Sequence, residues 1–283
     1  RGAYRKQAHA RDGIGQSIGW ESGMIAFRSY LGKVGFFGKK VECLRLDTLG
    51  SYHDDADWGM DCLHVGSAPG LGGLSLWAGD RVVRAYNEEK QPARCRITQR
   101  IVADGPVRAT VHVGISGLKV GDADVALSVT ASAYADQCYS EHRIRVSSAS
   151  AGGKDFPLLS AGVVRLRKAK PVFDPKSGLL CVWGRQDDPR IGDIGLALLV
   201  NPSEIVDWRT LADSDEIRLR LPKSGRTRIA VAADWIKARG DQRRLVAHSG
   251  PEWSKHVRRL AERIHHPVKY EILGLESRRN GNE

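Results

Sequence analysis

Between residues 52 and 64 the chain reads YHDDADWGMDCLH: two histidines and four aspartates in thirteen positions of a protein whose net charge is +11. Three readings compete for such a set. Imidazole and carboxylate groups together bind divalent cations. A histidine beside an aspartate moves protons near neutral pH, because the carboxylate fixes the ring tautomer. The third reading is a solvated acidic loop. The metal candidates are His53, Asp55, Asp57 and Asp61, and a divalent metal is the only cofactor the residues suggest. The acid/base candidates are His53 and His64. In an extended segment His53, Asp55 and Asp57 share a face. In a helix His53, Asp57 and Asp61 align, although Gly59 argues against a long helix. The calcium-loop pattern fails, since counting from Asp55 puts Gly59 at position five and Met60 at position six, and H-E-x-x-H is absent.

Upstream lies GWESGMIAFRSYLGKVGFFGKK (19–40). Met24, Ala26 and Tyr30 alternate with Ile25, Phe27 and Ser29, so both faces are largely apolar and the strand is expected to be buried. Arg28 sits inside it, and a buried charge needs a partner. Either Arg28 pairs with a neighbouring acid and holds the fold, or it points into a cleft and neutralises a substrate carboxylate. Trp20 is a core residue or a platform for a sugar ring. Downstream, HVGSAPGLGGLSLW (64–77) lacks the ending and the register of a phosphate loop. It reads as a close-packed turn leading into a strand, with glycines that would let backbone approach a ligand.

The elements around these residues are mostly strands. ARCRITQR (93–100), VRATVHV (107–113), VALSVTASA (125–133), EHRIRV (141–146), VVRLRK (163–168) and EIRLRL (216–221) alternate with period two, the half-buried strand pattern. Gly, Asp, Asn and Pro turns separate the runs, and ADGP (103–106) reads as a hairpin turn. A dozen or so such strands predict two large stacked antiparallel sheets. One helix is expected over about 252–266, where Trp253, Val257, Leu260, Ala261 and Ile264 recur at helical spacing after Pro251. The tail 276–283 is polar and expected to fray. With no repeat and no linker, 1–283 reads as one domain. Alternating arginines (Arg94/Arg96, Arg143/Arg145, Arg165/Arg167, Arg218/Arg220) read as a solvated outer face or as a basic surface for an anionic chain.

Composition narrows the partners. A pI near 9.6 favours polyanions, nucleic acid or acidic polysaccharide. Nucleic acid is disfavoured, because no zinc-finger spacing, RNA-recognition stretch or basic heptad region is present and aromatics are only 7%. No apolar run approaches the roughly 18–20 residues of a membrane span. The opening RGAYRKQ shows no secretory leader and reads as trimmed. The five cysteines are odd in number and form no C-x-x-C pair, so they read as small buried hydrophobes.

GWESGMIAFRSYLG (19–32), YHDDADWGMDCLHVGSAPGLGGLSLW (52–77), DIGLALLV (193–200), VAADWIKARGDQ (231–242) and EWSKHVRRLAERIHHPVK (253–269) together resemble a bacterial family, the domain of unknown function 4861. The resemblance spans most of the chain in order. It implies a large galactose-mutarotase-like β-sandwich, similar to proteins found beside enzymes that degrade pectin, ulvan and other uronate-containing polysaccharides. Some relatives look like β-eliminating enzymes, either polysaccharide lyases or oligosaccharide dehydratases, and the implied compartment is the periplasm or the exterior. Uronate elimination needs charge stabilisation at the carboxylate, a base for the C5 proton and an acid for the oxygen leaving C4. Arg28 suits the first task, His53 the second, and Tyr52 or His64 the third. Trp20, Glu21, Trp58 and Trp77 are the substrate-binding candidates. The alternatives are a glycoside hydrolase using Glu21 with Asp55 or Asp61, and a non-catalytic glycan-binding module with Trp20, Trp58 and Trp77 as platforms. The expected partner in every case is an acidic glycan.

Overall fold

A computed structural model describes residues 17–41, 52–88, 93–135, 137–149, 156–239 and 246–267. Cys43 and the tail 276–283 lie outside the described residues. The strands in chain order begin with β1 (Ser17–Glu21), β2 (Ala26–Tyr30), β3 (Lys33–Lys39), β4 (Gly59–Asp61), β5 (Leu74–Ala78) and β6 (Arg81–Arg84). Next come β7 (Arg96–Asp104), β8 (Arg108–Val120), β9 (Ala123–Tyr134), β10 (Tyr139–Ala149), β11 (Leu158–Val164) and β12 (Val172–Asp174). The last are β13 (Leu179–Arg185), β14 (Asp193–Val200), β15 (Ile205–Thr210), β16 (Ser214–Leu219) and β17 (Arg226–Trp235).

The protein is a mostly β, antiparallel sandwich with a C-terminal helix. One layer is an eight-stranded sheet in the order β12-β13-β14-β17-β10-β9-β8-β7. The facing layer is divided by its hydrogen bonding into a four-stranded sheet, β1-β2-β3-β4, and a five-stranded sheet, β15-β16-β11-β5-β6. The glycine-rich stretch joins these two. Val34 donates to Pro69 and accepts from Leu71, while Gly72 donates to Gly162 of β11, which donates back to Gly73. Gly70 has φ +91°, and a Cβ there would lie 1.9 Å from the Val34 carbonyl oxygen, so only glycine lets the two backbones meet. The glycines thus serve a backbone seam, and LSLW continues into β5 as its alternation predicts.

Alternation decides what faces inward. Ile18, Trp20, Phe27, Val34 and Phe36 of the four-stranded sheet join one core with Leu76, Ala161 and Ile217 of the five-stranded sheet and with Val111, Leu127, Ile144, Leu196 and Val231 of the eight-stranded sheet. The other face of the large sheet is covered by α1 (Gly250–His265). Trp253, Val257, Leu260 and Ala261 of α1 pack on Leu179, Cys181, Ala197, Leu199, Ala230 and Ala232. Ser249 caps the helix by accepting from the Glu252 amide. Among the described residues no helix is long and apolar enough to cross a membrane. Cys62, Cys95 and Cys181 are buried, as their strand contexts predict, and the half-buried Cys138 is also a free thiol.

Two buried groups on the large sheet titrate in opposite senses. His142 packs edge-on against Trp20, its Nε2 has no hydrogen-bond partner among the described residues, and burial pushes it down to about 4. Asp234 accepts from the amides of Trp235 and Ala247 at 2.8 and 2.6 Å, yet burial pushes it up to about 7. Because the folded-state value of Asp234 lies above its ordinary value, its contribution is full below about pH 4 and is lost as pH rises through about 7. The folded-state value of His142 lies below its ordinary value. Its contribution is full above about pH 6.5 and is lost as pH falls toward about 4. The two slopes oppose each other. A His142→Leu variant lacks the His142 slope, so relative to wild type its stability should fall by on the order of 3 kcal/mol from pH 4 to 8. Urea midpoints of the two proteins at three pH values read this directly, and parallel profiles refute it.

Candidate functional site

The strand around Arg28 puts Phe27 into the core and Arg28 on the outward face of the four-stranded sheet. Phe37 of β3 and Asp61 of β4 are paired in register on that same face. The segment 52–58 folds back over it as a series of turns, so neither the extended nor the helical alignment of its acids is realised. Backbone bonds hold it, among them one from the Lys40 amide to the Trp58 carbonyl at 2.9 Å. The Tyr52 carbonyl accepts from Asp61 at 2.7 Å, and Ala56 and Gly59 exchange bonds at 3.1 and 3.2 Å. Gly59 has φ +131°, and a Cβ there would lie 1.9 Å from the Gly38 carbonyl oxygen. Glycine is therefore the only residue that lets the turn close onto β3.

This folding brings Arg28, Tyr52, His53, Asp61 and His64 together. Arg28 donates to the Asp61 carboxylate at 3.3 Å. Its guanidinium lies 4.7 Å from the Tyr52 ring centroid and 5.5 Å from those of Tyr30 and Phe37, within the range of a cation–π contact. Arg28 thus finds the acid that its buried position demands, with its side chain only 12% exposed. The His53 Nδ1 lies 4.0 Å from the same carboxylate, and its side chain is 49% exposed. The His53 and His64 rings stand edge to face with centroids 5.4 Å apart, and Tyr52 lies 4.5 Å from His53. Asp61 also accepts from the Leu63 amide. Burial raises its carboxyl above the usual carboxylate range, and the Arg28 charge is the main force opposing the shift.

The arrangement is graded in exposure: the Asp61 carboxylate is the most buried, the Arg28 guanidinium next, and the His53 imidazole is open to solvent. An aspartate on the Nδ1 side of His53 leaves Nε2 as the outward nitrogen, the one able to take or give a proton. The second imidazole is close enough to serve the opposite role on one bound molecule.

Several residues that sequence reasoning missed hold the rim. Gln186 clamps the His64 peptide twice, accepting from its amide and donating to its carbonyl at 2.8 Å each. Arg190 bridges Asp188 and Asp54. The hydrogen bond from Arg190 is the main cause that pulls the Asp188 carboxyl down to about 2. Asp188 and Arg190 come from the charged run RQDDPRIGD (185–193), whose density of charge is the one local signal that could have found them.

Other candidates take different places. Trp20, Trp58 and Trp77 are not stacking platforms, since they are 2%, 6% and 5% exposed. Alternation sends Trp20 into the core, where its indole donates to Ser140 at 2.8 Å. Trp77 donates to Ser160 at 2.7 Å beneath the Arg218 guanidinium, and Trp58 packs on Phe37. Glu21 is not open to a substrate, because it holds the fully buried Lys39 at 2.7 Å. The acids proposed as metal ligands are turned to cations instead: Asp55 holds Lys40 and Lys237, and Asp61 holds Arg28. Asp57 is exposed, and among the described residues no three His, Cys, Asp or Glu side chains converge as metal ligands. Those ion pairs pull the Asp55 carboxyl down against its partial burial.

Comparison with known proteins gives one family match and distant structural likenesses. A family profile described as "Domain of unknown function (DUF4861)" matches residues 6–269. No curated protein matches. Among solved structures, the GH36 α-galactosidase AgaA from Geobacillus stearothermophilus is 11% identical, with a TM-score of 0.36 over 78% of this chain. The family GH92 inverting mannosidase BT2199 from Bacteroides thetaiotaomicron is 12% identical, with a TM-score of 0.36 over 86% of this chain. The chain spans 41% and 32% of the lengths of those two proteins.

Proposed function

We propose a function from one premise: the chain belongs to the DUF4861 family. The reading is an enzyme of β-elimination that acts on a uronate-containing glycan as a polysaccharide lyase or an oligosaccharide dehydratase. The observation that supports it is the pair of outward imidazoles, His53 and His64, set 5.4 Å apart over the Asp61–Arg28 ion pair. Elimination breaks the C5–H and C4–O bonds and forms a C4=C5 double bond. His53 takes the C5 proton, and His64 or Tyr52 delivers one to the departing oxygen, so the atoms balance whether a sugar or water leaves. Asp61 stabilises the imidazolium that forms on His53. Arg28 is a positioning residue here: it fixes Asp61 and the Tyr52 ring, and its charge lies beneath the point where the substrate carboxylate gathers negative charge.

A hydrolase reading requires two carboxylates open to one cleft. Its candidates Glu21, Asp55 and Asp61 are each tied to a cation, which favours elimination. The test is incubation with ulvan, pectin and glucuronan oligosaccharides, with divalent metals supplied. The expected result is rising ultraviolet absorbance from a 4,5-unsaturated uronate. No rise with any member of the panel overturns the reading.

A further inference from the structure

The outward face of the eight-stranded sheet, beyond the end of α1, holds a second basic feature. Arg143 is paired in register with Arg228, and Arg145 with Arg226, across β10 and β17. Like charges placed directly opposite on one face of a sheet repel and destabilise it. Glu141 relieves the first pair, binding Arg143 at 3.1 Å and Arg228 at 3.4 Å. Arg145 and Arg226 are exposed and have no hydrogen-bond or ion-pair partner among the described residues. The next strand continues each row with a hydroxyl, Thr130 beside Arg143 and Ser128 beside Arg145. These side chains line a cavity of about 750 Å³, bounded at one end by His265. The volume falls in the range of small-ligand sites, roughly 300–1,000 Å³.

We propose that this groove is a second ligand site, and that it holds an anionic oligosaccharide, carboxylated or sulfated, on the side of the sandwich opposite His53. The planar guanidinium fork pairs bidentately with either anion. The ligand's charge supplies what the unpartnered Arg145 and Arg226 lack. Serine, threonine and glutamate around them offer donors and acceptors to sugar hydroxyls. One feature argues against nucleic acid as the occupant. No Phe, Tyr or Trp side chain lines the groove, whereas single-stranded nucleic acid is held by base stacking. The choice of ligand class rests on the reading of the first site; the existence of an anion site here does not.

The experiment measures calorimetric binding of four probes to the full chain: polygalacturonate oligomers, sulfated dextran oligomers, neutral dextran and oligo-dT. Wild type and His53→Ala should bind an acidic oligosaccharide alike, with affinity that falls at high salt. An Arg145→Ala/Arg226→Ala variant should lose at least tenfold in affinity with its thermal midpoint unchanged or raised, since both residues are exposed and repel each other. The carboxylated and sulfated arms tell which anion is preferred. Equal binding by the double variant, loss on His53→Ala instead, tighter binding of oligo-dT, or binding of none of the probes would each overturn the proposal. Binding that persists without any unsaturated product would overturn the elimination reading and leave this one standing.

Discussion

Replacing His53 by alanine is expected to lower formation of the unsaturated product by about 10²–10⁴-fold, the usual contribution of a positioned general base. The fold should survive the change, because the side chain is half exposed and the neighbouring Asp61 keeps its bond to Arg28. Exposed positions of this kind typically move stability by no more than about 0.5 kcal/mol. The measurement is initial rate against substrate concentration for wild type, His53→Ala and His64→Ala, with thermal midpoints alongside. An acid acting on the leaving oxygen matters less when that oxygen sits on a good leaving group. His64→Ala should therefore lose less activity on an activated leaving group than on a sugar, whereas His53→Ala should lose similarly on both. An unchanged rate in His53→Ala refutes its role as base, and the reversed pattern exchanges the two histidines.

The second large effect concerns stability. Glu216 of β16 is fully buried and accepts from Arg84, from Ser160 at 2.6 Å and from Ser214 at 2.9 Å. Ser160 in turn accepts from the Trp77 indole, so one carboxylate closes a network across four strands, β6, β5, β11 and β16. Glu216→Ala would leave Arg84, only 12% exposed, with Asp213 as its remaining carboxylate beside the Ser75 and Ser214 hydroxyls, and would strip the buried Ser160 hydroxyl of its acceptor, while Ser214 keeps Asp213. Removing one member of a buried ion pair costs about 3–5 kcal/mol. The expected readout is a lower urea midpoint with an unchanged slope. A loss below about 1 kcal/mol would mean that Asp213 or solvent takes over the guanidinium, against the burial described here.

Much of the β architecture was legible because period-two alternation is strong where one sheet face is wet. The hairpin through ADGP and the strands over 107–146 appear where the pattern put them. The helix, expected over about 252–266, runs Gly250–His265. The run 163–168 is strand only to Val164, and Lys168 turns with φ +54°. Its alternating arginines resembled a strand because alternation cannot see where pairing ends. The pairing of Arg28 with an acid was legible from burial alone. The identity of that acid was not, since Asp61 is thirty-three residues away. The turns of 52–58 were hidden for another reason. They depend on Gly59 meeting the Gly38 backbone, a contact that no local pattern encodes. The tryptophans misled because a large aromatic side chain suits a core and a sugar platform equally well.

The seam at 69–73 has a consequence for hydrogen exchange. The sheet that carries Arg28 and Asp61 shares no strand ladder with the sheet that carries Glu216, so the two could open as separate cooperative units. The amides of Val34, Leu71 and Gly72 are among the bonds that span the join. Their protection reports the coupling directly. If these three exchange with the slowest amides of both sheets, the layer opens as one unit, and the floor beneath the histidines is as persistent as the deepest part of the molecule.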